Sequence, residues 1–543
     1  MYECPNCAAN LKFHIGKQAL YCEYCETVIE PYSFQKDMDA MQREEYEVTV
    51  FVCPQCGGEL LTEDTTAATF CSYCGASTIL DSRIRKEKRP KYIIPFMKDR
   101  ADCVSAYEKM MKHAFFVPKQ LKDKKYIERF RGIYMPFWMD NYEFKDKIKF
   151  TGSAKTEADR IHTIECKIDA QYRGFVYDAS SNFFDNLSSA ILPYDTEKKK
   201  EFTPAFLSGF YADTNDIDYE IYRNDARELV VEDAINRMKQ EKCLADYEIN
   251  DMQHYGLQQA LRFQSANQDF SLFPVWFLSY RKKDRVAYAV MNGQTGKIAA
   301  DLPVAVHKYL LSSLLLAIPI FLLLNLLPVI KPAGFLMIAA FLSFVCSIVS
   351  NVQLSHVIAR EGGALDKGRW AKRKKTGEKM PQKKKSVRIM QKISKVMIVL
   401  IWILCGMCIY ALITIGAACF IRKYDVSDIG AALMLVFICP IVTGLLISGV
   451  YIGCKKLLSQ MTLPEYFMYW KLKLPHLLKP LLGMVIAAVI LVMKPEETFY
   501  YYAGAVLCMI LCGFTFISII KYHNLLATRK LPQLEKRGGD GNV

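Results

Sequence analysis

The chain is 543 residues long, enough for several domains at roughly 100–200 residues each. It carries 70 Lys or Arg against 56 Asp or Glu, a formal net charge of +14, and much of that excess sits in one segment, so the balance does not by itself demand a nucleic-acid partner. Of its 19 cysteines, eight fall in two metal-type patterns near the start and most others in apolar runs, a distribution that argues against a disulfide framework.

Met1-Tyr2-Glu3-Cys4 opens without a basic or apolar run, so no secretory signal peptide is expected. Cys4-Pro5-Asn6-Cys7 is followed after fourteen residues by Cys22-Glu23-Tyr24-Cys25. The pattern recurs as Cys53-Pro54-Gln55-Cys56 and Cys71-Ser72-Tyr73-Cys74 with the same gap. At an offset of 49, Pro5 aligns with Pro54, Leu11 with Leu60, Ala19 with Ala68 and Tyr24 with Tyr73, which marks an internal duplication. Two residues between cysteines let a tight knuckle aim both thiolates at one ion, and a hairpin returns the second knuckle to complete a tetrahedron. Gly57-Gly58 suits the turn after a knuckle. Two structural Zn²⁺ ions are expected, held by Cys4, Cys7, Cys22 and Cys25 and by Cys53, Cys56, Cys71 and Cys74. Iron is the alternative, since four thiolates bind either metal. With all four positions filled by cysteine, no open position remains for a substrate. The ribbons are expected over 1–35 and 47–85.

Lys86 to Pro90 reads as a linker into an α+β region over 90–305, expected to be cytosolic. Asp99 to Phe116 has helical spacing and ends at Pro118. Strands are expected through Ile133–Phe150, Arg160–Ala170 and Gln171–Tyr177. A second round has a helix over Asn224–Lys242, then Phe273–Phe277, Arg285–Met291, a turn at Asn292-Gly293 and Lys297–Val304. Pro136-x-Trp138 and Pro274-x-Trp276 occupy matching places, consistent with a diverged duplication. Gly293-Gln294-Thr295-Gly296-Lys297 lacks the spacing of a phosphate-binding loop and is expected to be a hairpin turn. His162, His254 and His307 stand apart from ligand or triad partners, and Asp216 and Asp218 read as solvated loop charges. No catalytic constellation emerges, and no enzymatic activity is expected.

A transmembrane domain of about six helices is expected over 309–522, at 309–330, 333–352, 396–421, 428–453, 476–493 and 499–520. Its loop, 353–395, is basic: Arg360 to Lys395 holds fourteen Lys or Arg against Glu361, Asp366 and Glu378. Positive loops stay cytoplasmic, so a multi-pass cell-membrane protein with a cytoplasmic N-terminus and tail (523–543) is expected. The same loop could attract anionic lipids. Asn325 is the main polar residue within a span, which disfavours ion-coupled transport, and Cys405 and Cys408 read as packing residues.

The first ribbon, Ile94-Pro95-Phe96, Phe116-Val117-Pro118, Gly132-Ile133-Tyr134-Met135-Pro136-Phe137-Trp138, Leu192-Pro193-Tyr194 and Met291–Lys297 together resemble a bacterial group of transcription-factor-IIB-type zinc ribbon membrane proteins. The resemblance covers about residues 1–305. Such proteins often carry a label borrowed from the primosomal replication helicase, whose motifs this chain lacks. The resemblance implies a non-enzymatic membrane protein linked to envelope-stress proteins and flotillin-like scaffolds; the filled metal sites, absent catalytic constellations and uncharged spans point to a membrane-anchored scaffold or sensor that binds a cytosolic or membrane-associated protein. Nucleic-acid binding by the ribbons is the second reading, disfavoured because residues 1–30 offer Lys12 and Lys17 against Glu3, Glu23, Glu26 and Glu30. A transporter or channel with a regulatory cytosolic part is the third reading.

Overall fold

The computed structural model describes residues 2–34, 45–53, 58–61, 71, 73–74, 81–154, 161–241, 244, 247–248, 251–282, 285–324, 331–361, 482–483 and 485–530. These form two compact units, one dominated by residues 1–305 and joined by the segment from Ala527, the other drawn from 306–365 and 376–526.

In the first unit, β1 (Leu11–His14), β2 (Ala19–Cys22) and β3 (Val28–Ile29) make a three-stranded antiparallel sheet. A larger sheet begins with β4 (Glu45–Val52), β5 (Glu59–Leu61), β6 (Asp81–Lys88) and β7 (Tyr92–Ile93). Its centre is β8 (Arg131–Ala154) with β9 (Ile161–Asp178), and β13 (Gln264–Lys282) with β14 (Arg285–Asn292). β8 and β13 pair antiparallel, with Leu272 opposite Pro136 and Phe270 opposite Trp138, so the two Pro-x-Trp segments lie on neighbouring strands. Short strands complete the sheet: β10 (Lys200–Glu201), β11 (Tyr211–Ala212), β12 (Tyr247–Glu248), β15 (Ile298–Ala300) and β16 (Arg529–Lys530). The expected linker from Lys86 is sheet instead, since β6 pairs with β4 along Glu45–Val52.

Strand periodicity divides the core. Tyr134, Trp138, Leu272, Trp276, Leu278, Ala287, Ala289 and Met291 pack on one face. Ile133, Met135, Phe137, Phe273, Val275, Phe277, Val286, Tyr288 and Val290 pack on the other. Successive side chains point to opposite faces of a strand, so an unbroken apolar run such as Ile133–Trp138 signals burial on both. The first face carries β1 and β2 of the first ribbon (Leu11, Phe13, Leu20) and α1 (Arg100–His113) through Cys103, Tyr107 and Met111. Asp99 caps α1, accepting from the Asp102 amide at 2.8 Å while Asp102 accepts from the Asp99 amide at 3.2 Å. The second face carries the second ribbon (Phe51, Cys53, Leu60, Cys71, Tyr73, Cys74) and α2 (Asp185–Ala190) through Leu187. Farther along β8, Tyr142, Phe144, Ile148 and Phe150 pack with α3 (Arg223–Gln240) and α4 (Asp251–Ala260).

Met291–Lys297 is the expected turn. Asn292 Oδ1 accepts from the amides of Gln294 and Thr295, each at 2.9 Å, and its Nδ2 donates to the carbonyls of Ile191 and Pro193 at 3.0 and 3.2 Å. Gly296 adopts φ +81°, a conformation that favours glycine.

The second unit contains α5 (Val306–Leu324), α6 (Pro332–Glu361) and α7 (Phe499–Leu526). α6 and α7 meet through Leu336, Ala339, Ala505 and Cys508. The expected six-helix transmembrane domain and its multi-pass placement are corrected here. Among the described residues, one helix, α7, is long and apolar enough to cross a membrane. The qualifying apolar stretches of α5 and α6 are Val306–Pro319 and Pro332–Ser343. Counting run length in the sequence scores composition, whereas a span also needs one continuous helix of sufficient apolar length. The expected spans at 396–421 and 428–453, Cys405, Cys408, Asn325 and the basic residues 362–395 lie outside the described residues.

A β-carbon added at Gly293 would stand 2.5 Å from Phe96 Cδ1 and 2.8 Å from Pro274 Cβ. Gly293→Ala is therefore expected to destabilise the first unit by roughly 1–3 kcal/mol through overpacking, read from the midpoint of urea unfolding. An unchanged midpoint would show that this packing yields at no cost.

Candidate metal centres

In the first ribbon the two knuckles have the same backbone. Cys4 N donates to Ala9 O and Ala8 N to Cys4 O, both at 2.8 Å; Cys22 N donates to Thr27 O and Glu26 N to Cys22 O, both at 3.0 Å. Ala8 and Glu26, each four residues after the first cysteine of a knuckle, adopt φ +58° and +59°. The turns bring Cys4 Sγ within 3.4 Å of Cys25 Sγ, and Cys7 Sγ within 3.4 Å of Cys22 Sγ and 3.5 Å of Cys25 Sγ. A tetrahedron with metal–sulfur bonds of about 2.3 Å has edges of about 3.8 Å, so the four sulfurs are placed to close on one ion. All four ligand atoms lie within 4.8 Å of one another, and all four thiols are free.

The electrostatics also fit a cation. The Thr27 hydroxyl, 3.0 Å from Cys25 Sγ, and then the Thr27 amide pull the Cys25 thiol down to about 6. Cys7 is pushed up to about 12: the Ala9 amide favours its thiolate, but the neighbouring Cys22 and Cys25 sulfurs outweigh it. Four thiolates so close cannot all ionise at neutral pH without positive charge between them.

The second group joins Cys53, Cys71 and Cys74, again within 4.8 Å, with Cys53 Sγ 3.8 Å from Cys74 Sγ. Cys53 N donates to Gly58 O at 2.9 Å, the counterpart of the Cys4–Ala9 bond. Cys56, the expected fourth ligand, lies outside the described residues. Both groups can thus hold a metal ion.

The duplicated ribbons differ in how they are docked. Cys4 and Cys22 are buried, while Cys7 and Cys25 reach solvent; Cys53, Cys71 and Cys74 are all fully buried. Tyr24, in the second knuckle of the first ribbon, is 84% exposed, whereas its counterpart Tyr73 is 0% exposed, with its ring 6.0 Å from Phe277. The first ribbon is fastened by its hairpin instead: Phe13 N donates to Ser208 O at 3.0 Å, Ser208 Oγ to Leu11 O at 2.5 Å, and Gln18 Nε2 to Phe96 O at 2.8 Å. The second joins the sheet through β11, where Ala212 pairs with Leu61.

Other expected residues fall elsewhere. His254 Nε2 is 3.2 Å from Glu232 Oε2, tying α4 to α3, so it is not isolated. His162 lies edge-on to Tyr247, and His307 is exposed. Asp216 is no solvated charge: it accepts from the Ser181 amide and hydroxyl, each at 2.7 Å; Asp218 is exposed. Asp213, which carries no sequence signal, is buried and bonded to the Ser180 hydroxyl and, at 2.9 Å, to the Thr214 amide. Nothing local in the sequence distinguishes Asp213 from Asp216 or Asp218; β11, by pairing with β8, draws it inside.

No family model matches the chain. It is similar to the uncharacterized protein YdjG of Bacillus subtilis (strain 168), at 27% identity over 323 residues, 56% of this chain and 91% of that protein. No solved structure matches.

The knuckle turns and Asp213 each generate an expected outcome. The second ribbon carries Gly57 and Gly75 where the first has Ala8 and Glu26. Left-handed backbone costs a non-glycine residue about 1–2 kcal/mol, part of which glycine returns as lost chain entropy. Glu26→Gly should therefore stabilise the metal-bound first ribbon by about 0.5–1 kcal/mol, tightening its metal affinity roughly two- to fivefold in chelator competition. Separately, burial raises the Asp213 carboxyl to about 6, above the ~3.9 of an unfolded aspartate. A raised carboxyl favours folding at low pH, so its contribution is lost as pH climbs from about 4 to 6. The stability difference between wild type and Asp213→Asn should shift toward the variant by on the order of 2 kcal/mol across that window; a flat difference would mean the carboxyl is not held raised.

Proposed function

We propose that this chain is a non-enzymatic zinc-ribbon scaffold or sensor, of the kind its resemblance to transcription-factor-IIB-type zinc ribbon proteins implies, which binds a protein partner through its first ribbon. The observation that carries this reading is the contrast between Tyr24 and Tyr73. One copy of the duplicated knuckle is spent on the protein's own core; the other presents the same aromatic side chain to solvent. Exposed aromatic anchors on rigid supports are the residues that dominate protein interfaces.

Zinc is the metal that best suits the donor set, since thiolate-only tetrahedral sites of this spacing are structural zinc sites. Such sites supply folding energy and leave no coordination position for substrate, which favours binding over catalysis. Glu3, Glu23, Glu26 and Glu30 are all exposed on this ribbon, an electrostatic character that suits a protein partner better than nucleic acid. α7 is the segment through which the scaffold would be anchored to a bilayer.

The test compares intact protein with Tyr24→Ala in crosslinked pull-downs from native cells. Tyr24→Ala is expected to leave urea stability within about 0.5 kcal/mol, whereas Tyr73→Ala should cost roughly 3–5 kcal/mol as a large buried aromatic. A partner retained by the intact protein and lost on Tyr24→Ala is the expected result. Identical partner lists from both proteins would remove the first ribbon from the binding role.

A further inference from the structure

We propose that the Cys7–Cys25 edge of the first ribbon is a thiol-modification and metal-exchange site for peroxides and small electrophiles, and that Cys53, Cys71 and Cys74 of the second ribbon are closed to the same reagents. This rests on both clusters being zinc sites and assigns regulation to one of them.

The duplication makes the comparison an internal one. Both ribbons offer cysteines at the same spacing, so the chemistry of the ligands is shared and burial is what separates them. In the first ribbon Cys7 and Cys25 reach solvent, and their sulfurs are 3.5 Å apart. The side chain between the cysteines of the second knuckle, Tyr24, turns outward and shields neither. In the second ribbon Cys53, Cys71 and Cys74 belong to the core on one face of the sheet, together with Phe277, Tyr288 and the plugged ring of Tyr73. A reagent reaches those sulfurs only when that core opens, an event that costs a large part of the folding free energy.

Thiolate, whether free or metal-bound, is the nucleophile in such chemistry. One exposed thiolate, Cys7 or Cys25, attacks a peroxide oxygen. A sulfur–oxygen bond forms, the oxygen–oxygen bond breaks, and the departing hydroxide takes a proton to leave as water. The neighbouring thiolate then attacks the sulfenic sulfur. A disulfide forms as the sulfur–oxygen bond breaks, and the oxygen leaves as hydroxide, which takes one proton from solvent to become water. Two electrons pass from the sulfurs to the peroxide. An ion held by the four cysteines would be left with Cys4 and Cys22 alone and would be released. A thiol reductant and free zinc restore the site.

The experiment uses the full chain. Elemental analysis comes first: about two zinc ions per chain are expected from the ligand count. A chain without zinc sinks the metal reading itself, independently of any difference in reactivity between the ribbons. The protein is next exposed to hydrogen peroxide with a chromogenic zinc chelator, and in parallel to N-ethylmaleimide, with modification read residue by residue by mass spectrometry. One zinc equivalent should be released, and Cys7 and Cys25 should react roughly tenfold or more faster than Cys53, Cys71 and Cys74, with the second ion freed only in denaturant. Release of both ions together, or equal rates at the two sets of cysteines, overturns the proposal, as does retention of both ions at full modification of the other accessible thiols. A Cys7→Ser, Cys25→Ser variant should keep one ion and release none to peroxide. Because that variant can also lose the first ribbon's fold, the wild-type rates decide the matter.

Discussion

The ring of Phe96 is the contact around which the sheet unit is organised. It stacks on Phe210 at 4.5 Å and meets Tyr134 and Trp276 edge-on at 5.0 and 5.2 Å. Its space exists because Gly132 and Gly293 have no side chains there; a β-carbon at Gly132 would lie 3.1 Å from the ring and one at Gly293 only 2.5 Å. The backbone around Phe96 is held as well, since Met97 and Lys98 donate to the Gly293 carbonyl at 2.9 and 2.8 Å. Its own carbonyl accepts from Gln18 of the first ribbon. Close-packed interiors transmit small changes in shape, so one ring links the entry to α1, the β8–β13 pair, the 291–297 turn and the first ribbon.

This convergence explains the motifs that looked most suggestive in the sequence. Leu192-Pro193-Tyr194 lies against the same turn: Tyr194 Oη donates to Pro274 O at 3.0 Å, and Asn292 donates to Pro193 O. Phe116 accepts from the Ala305 amide at 2.7 Å. Gly-Gln-Thr-Gly-Lys, which invites comparison with a phosphate loop, spends its polar groups on backbone within the unit: Gln294 exchanges bonds with Asp195, and Lys297 Nζ donates to Leu192 O. These segments are places where backbone crosses backbone closely, which is why they are rich in glycine, proline and aromatic residues.

Legibility in the sequence follows locality. The cysteine knuckles are readable because spacing alone determines which thiolates can meet, and the turn at Asn292 because its chemistry is contained within six residues. The helix after Asp99 and the strands through 133–150 can be read from their periodicity for the same reason. The opposite docking of the two ribbons is not readable, since it depends on pairings between residues 61 and 212 and on packing of Tyr73 against Phe277, more than 100 residues away in each case. Asp213 escapes notice for that reason too. The apolar third of the chain reads differently: run length scores composition, whereas among the described residues one helix, α7, combines the length and apolarity of a span.

Duplication followed by unequal burial gives the two ribbons different thermodynamic roles. A metal ion on Cys53, Cys71 and Cys74 would be linked to the folding of the face of the sheet they belong to, so its binding energy would add to the stability of that core. A metal ion on the first ribbon stabilises a smaller module whose hairpin is tied down near Ser208 and Phe96 while its knuckles remain at the surface. Loss of such an ion would free the exposed sulfurs Cys7 and Cys25 first, while Cys4 and Cys22 stay among the buried residues of the first face. The orientation of Tyr24 is set by the second knuckle, while the ribbon's hairpin packs on the first face of the sheet through Leu11, Phe13 and Leu20. If the first ribbon holds an ion, its exposed knuckles around Tyr24 are where loss of that ion would be felt first, ahead of the sheet core.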